Sequence, residues 1–377
     1  MTTLASATPP FGYDSAMVDA RANLLGLSLR HGPDGPQLDP DQRGAPVAAS
    51  FDGIAVPLFD QGLIVAEGPD AVSFLQSQLT NDVEQMSPEQ WRRFGFCNAK
   101  GRLQAIFTGW RCDVEAVPSV ALALPLPMVE VVRKRLSMFV LRAKLRLQAQ
   151  SDARMTFGLA GGAARAWVAR AFGEVPEPGA LLRRDGRVVL GLESVDIEAR
   201  GGRGRGVPRW MLDTPAEEAG LVWRELCQEL APAPDASWRW LSVMSGVPQV
   251  FPATWECFVP QMVNLELVGG VSFRKGCYPG QEVVARSQYL GKLKRRMALG
   301  HGDGPPPPPG TDLMVDGQTE PGGMVVLSAP SPGGGFHALV ESQTAALEGS
   351  MLRVGDQPFS VLSLPYPIPA PEPVARR

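Results

Sequence analysis

Residues 275–282 read Lys275-Gly276-Cys277-Tyr278-Pro279-Gly280-Gln281-Glu282, and no other segment of the 377-residue chain narrows its fold as far. Just upstream stand Gly269-Gly270-Val271-Ser272-Phe273-Arg274. Four glycines and a proline in this span imply a tightly shaped backbone, close to a partner chain or ligand. Residues 281–290 then read as a helix. Pro279 and Gly280 stand at its entrance, and Glu282 complements its positive end. Cys277 lies two residues after Lys275 and near that helix start, and both features favour a thiolate. Two readings stand side by side: a reactive or ligand-holding cysteine, and a small buried hydrophobe. The three histidines, His31, His301 and His337, sit elsewhere in Gly/Pro-rich or loop-like contexts. A Cys/His hydrolase is therefore unattractive. No ligand cluster has the spacing of a stable metal cage.

Charge gathers around the same stretch. From Arg274 to Arg296 there are seven basic residues, among them Arg286, against the single acid Glu282, in a chain of net charge -3. Such a zone suits a carboxylate-rich or phosphate-bearing ligand, or it is a solvated helix face followed by a barrel-edge strand. The chain as a whole is too acidic for general nucleic-acid binding. The run at 201–206, GGRGRG, is too short and lacks the strand-then-helix frame of a phosphate loop, so a flexible turn is the better reading. Trp238, Trp240 and Trp255 read as packing rather than base stacking. The five cysteines show no C-x-x-C, which points to reduced thiols in a cytoplasm-like compartment. The longest apolar stretch, 117–132, is broken by prolines and Glu130, so no membrane span and no direct membrane binding are expected.

The length suggests two or three domains. Residues 1–50, rich in Gly, Pro, Ala and Asp, read as mostly disordered or extended, with order beginning near Val56. Residues 51–150 form an α+β module. It has a strand at 62–67 and a helix opened by Gly68 and Pro69, with its stripe on Ala71, Val72, Phe74, Leu75 and Leu79. Strands follow at 94–97, 103–110 and 120–124, then a helix at 128–139 and a half-buried strand at 141–148. Residues 151–290 form a second α+β module with a helix from 215 to 230. Residues 291–365 read as a small barrel-like β-domain, and 366–377 as a Pro-rich tail. No repeat of 20–50 residues is visible.

At this point the motifs resemble a known family. Phe258-Val259-Pro260-Gln261, Asn264-Leu265, Gly269 to Phe273 and the octet 275–282 resemble the signature of YgfZ-type proteins. Gln76-Ser77-Gln78-Leu79-Thr80-Asn81-Asp82, Cys97-Asn98-Ala99-Lys100-Gly101-Arg102 and Gly246-Val247-Pro248 match in the same order. The resemblance implies an α+β fold of three domains in a ring, like the T-protein of the glycine cleavage system. In it, ferredoxin-like modules are joined to a small C-terminal β-barrel. It implies tetrahydrofolate binding and a role in making or repairing iron–sulfur enzymes, with an indirect effect on tRNA modification. It assigns chemistry to Cys277, Lys275, Gln281 and Glu282. Folate contacts are expected from Gln78, Asn81, Asp82, Lys100, Arg102, Arg274, Tyr278 and Arg286, with Gln78, Asn81 and Asp82 facing the pterin and the cations facing the glutamate tail.

Two departures bear on activity. T-protein carries an aspartate a few residues after the Lys-Gly turn, where this chain has Ala105 preceded by Gln104. T-protein-like chains also often carry Arg and Glu before the Gly-x-Pro turn, where Ser242 and Met244 stand. Nothing at position 105 can shuttle a proton. Three functions remain: a folate-dependent accessory factor without ordinary turnover, a folate-dependent aminomethyltransferase with another acid in place of the lost one, and a partner-binding module with a vestigial pocket.

Overall fold

The described residues form a two-stranded hairpin, two larger sheets flanked by helices and one closed barrel. The computed structural model describes residues 11–32, 35–39, 47–48, 50–112, 117–197, 205–289 and 293–369. Near the N-terminus, α1 (Ser15–Leu24) precedes a hairpin of β1 (Leu29–Gly32) and β2 (Gly35–Leu38), followed by β3 (Ile54–Pro57). Within the described part of 1–50, the helix and hairpin replace the expected disordered or extended chain, while 1–10 and 40–46 lie outside the described residues. The carboxylate of Asp14 caps α1 by accepting from the amides of Ala16 and Met17. Val18 and Ala22 are buried, and the buried Arg21 donates to the Ser151 carbonyl. The helix is held by one buried cation and a short apolar face, which composition alone does not reveal.

The first sheet comprises β4 (Gln61–Glu67), β5 (Trp91–Cys97), β6 (Leu103–Arg111), β7 (Ser119–Pro125) and β8 (Arg146–Ala149). Helix α2 (Ala71–Gln78) follows β4, and α3 (Val129–Ser137) follows β7. The order β8-β4-β7-β6 is the ferredoxin-like arrangement, with β5 added at one edge. Helix α2 starts after Asp70, so Pro69 stands before the cap rather than in the first turn. The strand expected over 141–148 is only β8. Leu141 is 88% exposed at a turn, so the alternation of Leu with basic residues there marks a solvated tip.

The second sheet comprises β9 (Arg154–Ala160), β10 (Leu181–Arg184), β11 (Arg187–Ile197), β12 (Arg205–Pro215) and β13 (Ala231–Pro232), with α4 (Gly162–Phe172) and α5 (Ala219–Cys227). It repeats the plan of the first, but β3 is wedged between β9 and β13. The 51–150 stretch thus contributes a strand to the neighbouring sheet. The helix expected from 215 begins later, because Pro215 ends β12. Arg205 and Gly206 open β12, while 201–204 of the GGRGRG run lie outside the described residues.

Helix α6 (Asp235–Met244) and, much later, α7 (Gln281–Tyr289) frame the linking segment 245–280. Strands β14 (Arg295–Gly302), β15 (Asp312–Val315), β16 (Gly323–Pro330), β17 (Phe336–Gln343), β18 (Leu352–Val354) and β19 (Gln357–Leu362) close a barrel, with α8 (Thr344–Gly349) beside it. The units touch pairwise. Trp91 Nε1 donates to the Gly191 carbonyl at 2.7 Å, joining the two sheets. Trp240 Nε1 donates to His337 Nδ1 at 3.0 Å, seating α6 on the barrel. The linking segment joins the barrel to the first sheet, through Asn264 to the Met297 carbonyl (2.9 Å) and the Leu103 amide to the Phe258 carbonyl (2.7 Å). In the tail, Tyr366 donates to the Gly246 carbonyl at 2.7 Å, so it docks on the fold.

Candidate functional site

Helix α2 leaves its last carbonyls without intrahelical partners. Lys275 supplies them. Its Nζ donates to the Leu79 carbonyl at 2.6 Å and to the Gln76 carbonyl, placing a cation at the negative end of the helix. The same ammonium lies 5.1 Å from the centre of the Tyr278 ring. Lys275 is buried, and desolvation pulls its pKa down to about 8 against the upward pull of Asp82, Glu84 and Cys277.

The run upstream is stitched to the start of β5. Thr80 Oγ1 donates to the Gly270 carbonyl at 2.6 Å and accepts from the Gly95 amide at 2.7 Å. Asn81 Nδ2 donates to the carbonyls of Gly269 (2.7 Å) and Arg93 (2.9 Å). On the other side, the Asn98 side chain accepts from the amides of Lys100 and Arg102, shaping a turn through Gly101. Gly101 (φ +70°) and Gly280 (φ +79°) press together, and a Cβ on Gly280 would sit 2.5 Å from the Asn98 carbonyl and 2.6 Å from Gly101 Cα. Three segments distant in sequence therefore meet: 76–82, 97–102 and 269–282. At their junction Cys277 is exposed between the buried Lys275 and Tyr278.

A thiol so placed can act as a nucleophile or lend one ligand to a metal centre. Among the described residues no group of three His, Cys, Asp or Glu gathers. Gln281 begins α7 with its amide on the Tyr278 carbonyl (3.2 Å), and Glu282 in the first turn is exposed.

The lowered pKa of Lys275 makes a stability prediction. The folded state holds the charged form less well than the unfolded chain does. Below about pH 8 the fold carries the whole cost, and stability from this group rises as pH climbs from about 8 toward 10.5. We expect the wild type to gain on the order of 2 kcal/mol relative to Lys275→Met across that window. Urea unfolding at stepped pH checks this, and parallel pH profiles for the two proteins would contradict it.

A separate cavity of about 150 Å³ lies where the three units meet. Arg93 and Thr108 reach it from the first sheet, Arg209 and Met211 from the second, Asp235, Trp238 and Arg239 from α6, and Leu327 from the barrel. Arg93 grips Glu193 with two hydrogen bonds, of 2.7 and 2.5 Å. Arg209 lies 5.5 Å from the Trp238 ring centre and donates to the Glu193 carbonyl. Also on the lining, Arg239 stands between Asp60 (3.4 Å) and Asp235 (3.8 Å). Desolvation raises the Asp60 carboxyl above its ordinary range, against the pull of Arg239. Asp235 Oδ1 is buried without a hydrogen-bond partner. The cavity thus combines Trp238, arginines that each stand beside an acid, and the side chains of Asp60 and Asp235.

None of the residues assigned to folate from the sequence lines this cavity. Asn81 reaches it only through the Arg93 backbone. Asp82 accepts from the Gln85 amide and from Gln76 Nε2. Gln78 is buried with Oε1 unpartnered, and Arg102 donates to the Cys257 carbonyl. Lys100, Arg274 and Arg286 are exposed. The cationic zone is not one patch either, since Arg295 pairs with Glu341 and the buried Arg296 with Glu266. Sequence reading missed Arg93, Arg209 and Asp235, and it took Trp238 for packing alone. Their one available signal was an arginine at an inward position of two apolar strands. Ala105 is buried opposite Phe96, and Gln104 beside it bonds Glu256 at 2.6 Å. Ser242 lines the cavity, but its hydroxyl returns to the Trp238 carbonyl.

The chain is 30% identical over 321 residues to the tRNA-modifying protein YgfZ of Photobacterium profundum, spanning 82% of this chain and 91% of that protein. It is 31% identical over 243 residues to the protein of the same name from Serratia proteamaculans, spanning 64% of this chain and 69% of that one. Among solved structures, the glycine cleavage system aminomethyltransferase T from Bartonella henselae shares the fold. Its TM-score is 0.64 at 16% identity, across 93% of this chain and 96% of that chain. No protein-family model matches.

Proposed function

Because the chain belongs to the YgfZ family, we propose that it binds a reduced folate and serves the assembly or repair of iron–sulfur enzymes, with an indirect effect on tRNA modification. One observation carries this reading: an exposed thiol, Cys277, is presented on a turn anchored by Lys275 and by the Gly101–Gly280 contact. A thiol needed only for packing would be buried. The partners are iron–sulfur client or assembly proteins, whose own ligands would complete any cluster site. The cytoplasm is the proposed compartment, supported by five cysteines of which none forms a disulfide. Among the described residues no helix is long and apolar enough to cross a membrane.

With about 150 Å³, the cavity has room for the pterin end of a tetrahydrofolate, and the tail would lie at its open side. The carboxyls of Asp60 and Asp235, both on the lining, suit the amino and ring N–H donors of a pterin. Trp238 and Met211 suit its flat ring, and the Arg93–Arg209 wall suits a carboxylate tail. When bound, a reduced folate supplies nitrogens that carry one-carbon units. The protein's own part is to orient the pterin and hold water from it.

Titration with 5-formyltetrahydrofolate, followed by tryptophan fluorescence, tests the folate half. Asp235→Asn should weaken binding about tenfold or more, the worth of one charge-assisted hydrogen bond. Cys277→Ala should bind as the wild type does. If the wild type binds no reduced folate at millimolar concentration, the module with a vestigial pocket replaces this reading. A second reading has one observation in its favour: Asp60, with its raised pKa, offers an acid in the cavity where Ala105 offers none. A glycine-cleavage half-reaction by the pure protein, lost in Asp60→Asn, would make it a folate-dependent aminomethyltransferase.

A further inference from the structure

Beyond the cavity and the octet, the turn between α3 and β8 joins two features that water does not favour together. Met138, Phe139 and Leu141 are exposed there, Leu141 by 88% and Met138 by 65%. Around them Lys134, Arg142, Lys144 and Arg146 are exposed, and none of the four forms an ion pair among the described residues. The apolar face of α3 is already used, since Val129, Val132 and Leu136 are buried in the core. None of the three apolar side chains at the tip is buried in the core, and Met138 touches only its neighbour Arg135 through sulfur. The turn is also anchored. The Lys144 amide donates to Asp70 Oδ2 at 2.7 Å, and the Asp70 amide donates to the Lys144 carbonyl. Asp70 is the N-cap of α2, and Lys275 holds the other end of that helix. Eight residues of helix, about 12 Å, run from the Asp70 anchor of this turn to the end that Lys275 holds.

We infer that residues 134–146 are a docking surface for a protein partner whose matching face is an acidic rim around an apolar recess. In a chain of net charge -3, four unpaired cations around exposed Met, Phe and Leu give charge complementarity to such a face. Large flexible and aromatic side chains are the anchors that interfaces use, and methionine adapts to its recess. Three side chains on one turn are too few to anchor a protein in a bilayer. A single phenylalanine makes no stacking platform for RNA. The inference stands apart from the folate reading, because no residue of 134–146 lines the cavity.

The test uses the full-length chain in cells, with a photo-crosslinking benzoylphenylalanine at Leu141 and, as control, at the similarly solvated Met351, 75% exposed. A discrete protein adduct is expected at Leu141 and not at Met351. That protein, purified, should bind the wild type with a salt-dependent Kd. The Kd should rise at least tenfold with Leu141→Ser, and at least tenfold with Arg142→Glu combined with Lys144→Glu. Identical thermal midpoints would show that the variants still fold. The absence of a Leu141-specific protein adduct would overturn the inference, as would a Kd that charge reversal leaves unchanged. So would binding to phosphatidylglycerol vesicles or to tRNA that the wild type shows and the double variant loses, since the surface would then serve a membrane or a nucleic acid.

Discussion

Gly280→Ala is expected to destabilise the protein by about 3 kcal/mol or more. The cost has two parts. At φ +79° the backbone lies in the left-handed region, where an L side chain costs roughly 1–2 kcal/mol. The new Cβ would then meet backbone rather than a side chain that can swing away: the Asn98 carbonyl at 2.5 Å, and Gly101 Cα and nitrogen at 2.6 Å. Relief requires the two turns to part, which loosens the octet from the first sheet. Gly276, four residues earlier, is the internal control. Nothing stands within 4 Å of its would-be Cβ, so Gly276→Ala should change stability by no more than about 0.5 kcal/mol. Urea unfolding of both variants checks the pair. A loss below about 1 kcal/mol for Gly280→Ala would contradict the contact between the turns.

Much of this arrangement is legible in the sequence because it rests on local signals. Helix α2, the strands β5 to β7, α7 and the barrel follow from apolar periodicity and from Gly/Pro punctuation. The three motif segments around Cys277 are legible as separate strings. Their convergence is not, because Thr80, Asn81 and Lys275 make their decisive bonds to backbone atoms far along the chain. The N-terminal helix escapes sequence reading because its burial depends on Arg21 meeting the Ser151 carbonyl and Met155. Strand β3 is not read from the sequence, because four apolar residues fit either sheet and only the pairing of Ile54 with Ala160 decides. The cavity is least legible of all. Arg93, Arg209, Asp235 and Trp238 come from three elements, and each is ordinary in its own neighbourhood.

Cys277→Ala is expected to have the largest functional effect with the smallest structural one. The side chain is exposed, so its truncation leaves no cavity and breaks no hydrogen bond in the structure. Stability should stay within about 0.5 kcal/mol of wild type. Lys275 and Tyr278, which shape the turn, are untouched, and the cavity between the units lies elsewhere. If Cys277 lends a ligand or acts as a nucleophile toward a client, removing the sulfur abolishes that step outright. Serine should not restore it, because a hydroxyl at neutral pH is neither a comparable nucleophile nor a soft ligand.

Complementation of a strain lacking this protein is the direct measurement, with wild type, Cys277→Ala and Cys277→Ser expressed at equal levels and scored for iron–sulfur enzyme activity and tRNA thiolation. Wild type is expected to restore both, and both variants to remain at the level of the deletion, while each still binds 5-formyltetrahydrofolate about as tightly as wild type. Full rescue by Cys277→Ala would contradict this expectation and remove the thiol from the function.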